Sequence, residues 1–343
     1  MVLSVQKLRA FRKRGPLSRF IGDGLTSLFS LVTSNVAYLK QAPEAARNLE
    51  MMVEHLLRFG IKEPRKLGAV LLAASDWRSH YYSAQQETKD KPYFLVYTAD
   101  DHKIPFKPEE DTMYAYMLAQ VAYVAHKISK FLSARHLVYI AGCFQELNKI
   151  SSEVYRNHQT RMPRFTDHNR ISLKVVQWLD EPLNCCPSLH IAYSTLLYNI
   201  ANHVLNLPAR DEEAWESVKN STYGMINSVL YTKQHALVDV AFGILAAKVI
   251  FERRFKKHTF NDLMDELPEL QRRHPDIPYN KVEDAFHRGK ALHRVHEDLA
   301  SVVGKYLNEK GFPLLKPNGG QFYYDEKRGV VVPINQAQNY SDE

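Results

Sequence analysis

Residues 212–255, EEAWESVKNSTYGMINSVLYTKQHALVDVAFGILAAKVIFERRF, decide the fold class. Their apolar positions recur at helical spacing, so the stretch reads as one long helix that breaks near Thr232. Arg253, Arg254, Lys256 and Lys257 gather at its end, where positive charge suits the helix dipole. Residues 236–247 form an apolar run of twelve that contains Asp239. A membrane span needs about 18 or more apolar residues in a row. The run is too short for that, and the mean hydropathy of the whole chain is −0.37, so a membrane crossing is not expected.

Working outward, a second strong helix is expected at about 188–206, and two more at 111–131 and 134–157. Residues 20–80 show helical periodicity, as in Leu49, Met52, Val53, Leu56 and Leu57, punctuated by Pro64 and Gly68. The polar stretch 85–91 reads as a loop, and 92–108 as irregular and Pro-interrupted. Residues 158–186 read as a mostly irregular link with one apolar stretch, Ile171–Leu179. Beyond 258 the chain is Pro-rich and polar. It carries one expected helix near 279–310 and a turn at Lys316-Pro317-Asn318-Gly319-Gly320. A terminal hairpin of 321–324 and 330–333 follows. The fold class is all-α, a helical bundle with a small C-terminal hairpin. The expected organisation is a basic flexible arm at 1–19, a helical extension at 20–90, a catalytic bundle at 91–257 and a C-terminal extension at 258–343.

The net charge is +7, and six cations without an acid stand in the first nineteen residues: Lys7, Arg9, Arg12, Lys13, Arg14 and Arg19. The body is therefore near neutral, which argues against a nucleic-acid partner with its broad basic face. The arm, followed by Phe20, Ile21, Leu25 and Leu28, reads first as a solvated tail and second as a peripheral contact with an anionic membrane. No apolar core follows the basic start, so a secretory signal is not expected. The three cysteines, Cys143, Cys185 and Cys186, are odd in number and lack metal spacing, and read as reduced thiols of a cytoplasmic protein.

Two segments carry chemistry. In Asn184-Cys185-Cys186-Pro187-Ser188-Leu189-His190, Pro187 reads as the start of a helix. The free N–H groups of that first turn, Leu189 included, form an anion site. Ser188 adds a hydroxyl and His190 an imidazole that titrates near neutrality. In Thr232-Lys233-Gln234-His235-Ala236-Leu237-Val238-Asp239, His235 and Asp239 stand four apart, expected on one helix face. A carboxylate there fixes the imidazole tautomer and leaves the other ring nitrogen free as nucleophile or base. Lys233 supplies a cation.

Cys-Pro-Ser-Leu-His followed some 45 residues later by Lys-Gln-His-xxx-Asp-xxx-Gly, through Gly243, resembles the second and third motifs of the type 2 phosphatidic acid phosphatase and vanadium haloperoxidase superfamily. The likeness is closest to its inositol-phosphotransferase-like branch. Ile104-Pro105-Phe106, Met162-Pro163-Arg164 and Asp180-x-Pro182-x-Asn184 are similar to upstream features of that branch. The resemblance covers roughly residues 100–255. It implies a helical bundle of the acid phosphatase/haloperoxidase type and metal-independent phosphoryl transfer through a phosphohistidine. The implied catalytic residues are His235 as nucleophile, Asp239 as its orienter and His190 as acid. Arg164, Lys233, Ser188 and Leu189 would bind phosphate. Lys149-x6-Arg156 keeps the first-motif spacing, so the arginine is either Arg164 or Arg156. The implied substrate is a lipid or isoprenoid phosphate or diphosphate, with no cofactor. Two alternatives stay open: a vanadium-dependent haloperoxidase, with vanadate on His235, and a non-catalytic phosphate-binding or scaffold protein.

Other features read as structural. His287, His293 and His296 are spaced unlike a two-ligand helix turn and are expected at the surface. Asp100-Asp101 lacks the later acid of an aspartate-rich metal motif and reads as a loop. Tyr114, Tyr116 and Tyr123 read as core packing.

Overall fold

The computed structural model describes residues 63–317, apart from 112, 115–122, 125, 180 and 297, together with 322–325 and 330–333. The basic arm and the periodic stretch around Leu49 lie outside the described residues. Among the described residues the chain is mostly helical.

Helix α1, Pro64–Thr88, starts with Pro64 in its first turn, where a missing N–H costs nothing, and runs through Gly68. It continues over most of the expected 85–91 loop. Gln85 and Thr88 are buried, and the Thr88 hydroxyl donates to Ala84 O over 2.6 Å. Strand β1, Tyr93–Leu95, and helix α2, Ala99–Lys103, give order to the segment expected to be irregular. Helix α3 is Ala134–Asn157, capped by Ser133. Strand β2, Thr160–Arg161, and helix α4, Ile171–Leu179, lie inside the expected link. Helix α5, Leu189–Asn199, passes into a π turn, Ile200–Val204, and the short α6, Leu207–Arg210.

The stretch 212–255 divides into α7, Glu212–Tyr231, and α8, Leu237–Arg254. The break at 232–236 holds Lys233, Gln234 and His235. Helix α8 is the axis of the bundle. Every residue from Leu237 to Ala247 is buried, which explains an apolar run too short to span a bilayer. No described helix is long and apolar enough to cross a membrane.

The C-terminal part is folded into this bundle. It contributes α9, Leu267–Arg273, α10, Tyr279–His293, and α11, Leu299–Glu309. The single helix expected over 279–310 is two, because Asp298 caps a new start by accepting from Ser301 N at 2.8 Å. Helix α8 packs against α5, α10 and α3, and α3 packs against α1 and α11. Gly289 of α10 fits against Leu245 and Phe242 of α8. Strand β3, Leu314–Leu315, completes a small sheet of order β2-β1-β3, parallel between β1 and β2 and antiparallel between β1 and β3. The expected hairpin is present as β4, Phe322–Asp325, and β5, Val330–Pro333, with Phe322 opposite Pro333.

Candidate functional site

The two motifs meet where α5 and α8 begin. Ser188 is the N-cap of α5, and its Oγ accepts from Ile191 N at 3.4 Å. Pro187 therefore lies before the cap and not in the first turn as expected. The loop leading in is pinned from below. Asn184 N donates to Gln159 Oε1 at 2.9 Å, Cys186 N to Thr160 Oγ1 at 2.7 Å, and the Tyr155 hydroxyl to Pro187 O at 2.7 Å. The Ser188 hydroxyl is buried and faces its own helix. The amides of Leu189 and His190 open α5, where a helix leaves N–H groups without internal acceptors.

His235 lies outside α8, a correction to the expected shared helix face. The carboxylate of Asp239 accepts from Ala236 N at 2.8 Å, and that capping bond starts the helix at Leu237. The same oxygen still reaches His235 Nδ1 at 3.4 Å, while Cys185 O lies 3.1 Å from Nδ1. Both neighbours of Nδ1 are acceptors, so the proton belongs there and the lone pair is on Nε2. The ring of His190 stands 5.7 Å from that of His235, centroid to centroid, and stacks on Tyr114 at 4.1 Å. Tyr114 is buried, in keeping with a packing role, and its packing sets the orientation of a site histidine.

Arg164, in the irregular stretch after β2, donates to Gln234 Oε1, the residue between Lys233 and His235. Arg156 is instead committed on α3, with Nε 2.7 Å from Glu87. The geometry thus brings Arg164 to the site and leaves Arg156 in an ion pair elsewhere. Lys233 has a left-handed backbone, φ 53°. Its ammonium donates to Asp101 O and sits over the rings of Tyr97 and Phe165, at 5.7 and 5.8 Å from their centroids.

Burial sets the charges. It pushes the Lys233 ammonium down to about 8 and the Asp101 carboxyl up to about 6. Burial also raises the Asp239 carboxyl, an effect opposed by His235. It lowers His190 to about 3, with His235 adding to the effect, so His190 is neutral at pH 7 in the ligand-free site. Asp239 Oδ1 is buried with no hydrogen-bond partner among the described residues.

Gln234 and Asp101 escape a reading of the sequence. Gln234 is signalled only by its place between two site residues. Asp101 reads as a loop acid, although Thr98, three residues earlier, completes a helix-capping pair with it. His287 is exposed and 3.6 Å from Glu283. Among the described residues no three His, Cys, Asp or Glu side chains converge as a metal site requires. A cavity of about 630 Å³, lined by Asp76, Lys149 and Arg253 among others, lies toward the far end of α8 and not at its histidine end.

No family model, curated protein or solved structure matches the chain.

Proposed function

We propose that the chain is a metal-independent phosphatase or phosphotransferase that works through a phosphohistidine on His235, acting on a lipid or isoprenoid phosphate or diphosphate. The observation that carries this reading is the pairing of His190 with a His235 whose Nδ1 is held by Cys185 O and Asp239. Such a ring presents an unprotonated Nε2, as a nucleophile requires.

Nε2 of His235 attacks phosphorus, the N–P bond forms, and the bond to the leaving oxygen breaks. Arg164, Lys233 and the first amides of α5 hold the remaining phosphate oxygens, and fixed positive charge is the main demand of phosphoryl transfer. The leaving alkoxide takes a proton from His190. That proton arrives with substrate, because a phosphate beside His190 opposes the burial that keeps the ring neutral when the site is empty. Water, or an acceptor hydroxyl, then gives its proton to His190 and displaces His235 from phosphorus. The aromatic rings of Tyr97 and Phe165 beside Lys233 suit a substrate with an apolar tail.

The test is phosphate release, without metal, from phosphatidic acid, a prenyl diphosphate and p-nitrophenyl phosphate. His235→Ala and His190→Ala should each lose several orders of magnitude. Wild-type release by His235→Ala would refute the reading.

A further inference from the structure

Asp101 is an acid buried to 2 % exposure on a five-residue helix, and every polar group it offers is engaged. Oδ2 accepts from Thr98 N at 2.9 Å and from the Thr98 hydroxyl at 2.6 Å. Oδ1 leaves that helix and accepts from Leu237 N of α8 at 2.8 Å. Its main-chain oxygen accepts from the Lys233 ammonium. A single residue, more than 130 positions upstream, therefore grips the 232–236 turn on both sides of His235.

A helix-capping acid needs only the Thr98 contacts, and an aspartate that merely capped α2 would face solvent. Here the carboxylate is taken into the core, against the desolvation cost of a charge, to reach α8. Lys233 faces the same difficulty. Its ammonium is buried beside two aromatic rings, and the ionisable groups around the turn are Asp101, Asp239, His235 and Arg164.

We propose that Asp101 is a positioning residue of the site: its main-chain oxygen sets where the Lys233 ammonium sits, its carboxylate holds the first N–H of α8 two residues beyond His235, and the residue is electrostatically coupled to Lys233. The functional part of this inference rests on the phosphotransfer reading above. The coupling between Asp101 and Lys233 does not. Asp101 favours the charged form of Lys233 against burial, and Asp239 opposes the ionisation of Asp101. The site then holds its full charge pattern between about 6, where Asp101 ionises, and about 8, where Lys233 loses its proton.

The experiment is an NMR titration of the full ligand-free chain carrying lysine labelled at Cε, with the Lys233 signal assigned by its loss in Lys233→Arg. The wild-type signal should titrate near 8 and show a second, smaller inflection near 6 as Asp101 gains its proton. Asp101→Asn should lower the main midpoint by about one pH unit or more. In phosphate release, the alkaline limb should shift down with it, and Lys233→Arg in the Asp101→Asn chain should restore activity on that limb, since an arginine does not titrate there. An unmoved Lys233 midpoint in Asp101→Asn would overturn the proposal. Should that variant not fold, the absence of the wild-type inflection near 6 would overturn it equally. The titration uses no substrate. A chain that releases no phosphate but shows the coupled titration refutes the phosphotransfer reading and leaves the coupling intact.

Discussion

The backbone N–H of Ser188 donates to the main-chain oxygen of Asp239 over 3.1 Å. Through that bond the start of α5 is fixed on the first turn of α8, and the carboxylate of the same Asp239 reaches His235. The two histidines face each other because their helices are joined at this point.

Gly243 lies one turn further along α8, where a Cβ would stand 2.8 Å from Ser188 O and 2.9 Å from Ile191 Cβ. Alanine would gain about 1 kcal/mol in helix propensity. The clash is with backbone, which cannot rotate away, and overpacking costs about 1–3 kcal/mol. Gly243→Ala should therefore lower the denaturant midpoint, and Gly243→Val should lower it further. An unchanged midpoint for both would show that α5 and α8 are not in close contact.

Asp239→Asn should separate chemistry from folding. An asparagine Oδ1 can still accept from Ala236 N, so the cap survives, and the cost of burying a charge disappears. The anion beside His235 is lost, and turnover should fall on the order of 10²–10⁴-fold. Phosphate release and thermal melting, measured on one preparation, should show lost rate without lost stability.

Lys233 is a cost to the fold. Its folded value of about 8 lies below the 10.5 of a free lysine, and each tenfold loss of proton affinity is worth about 1.4 kcal/mol. Below pH 8 the ammonium is charged in both states and the full penalty of up to about 3 kcal/mol applies. Between about 8 and 10.5 the folded chain sheds its proton first, so this group's contribution to stability rises with pH and the penalty is gone above that range. Lys233→Met should thus be more stable than wild type at pH 7 and inactive. The advantage should shrink as pH rises past 8, and stability curves at several pH values will show it.

The C-terminal helices belong to the bundle. Helix α10 covers Phe242 and Leu245 of α8, and the Tyr231 hydroxyl, two residues before Lys233, donates to Asp276. A chain ending at residue 257 should fail to fold cooperatively, as read by circular dichroism and proteolysis.

Much of this is legible in the sequence, but not all for the same reason. The α8 core run and the two motif segments are local patterns. Helical periodicity and the cluster Lys233, His235 and Asp239 can be read without knowing the fold. The start of α8 is not legible, because it depends on which N–H the Asp239 carboxylate takes. Spacing alone keeps His235 on the helix, whereas the capping bond to Ala236 puts it just outside. Asp101 is hidden for a deeper reason. Its role depends on Leu237 and Lys233, more than 130 residues away, and no local pattern encodes a contact of that range. The separation of α10 from α11 turns on one capping acid, Asp298, inside a polar stretch that reads as continuous.

The central claim is that His235 becomes phosphorylated. The direct measurement is to quench the full-length protein in alkali during turnover of a substrate that it hydrolyses, where a phosphoramidate survives, and to locate phosphate by mass spectrometry of the peptides. The account predicts phosphate on His235, absent in His235→Ala. Turnover with His235 unmodified throughout, or phosphate on another residue, would contradict it.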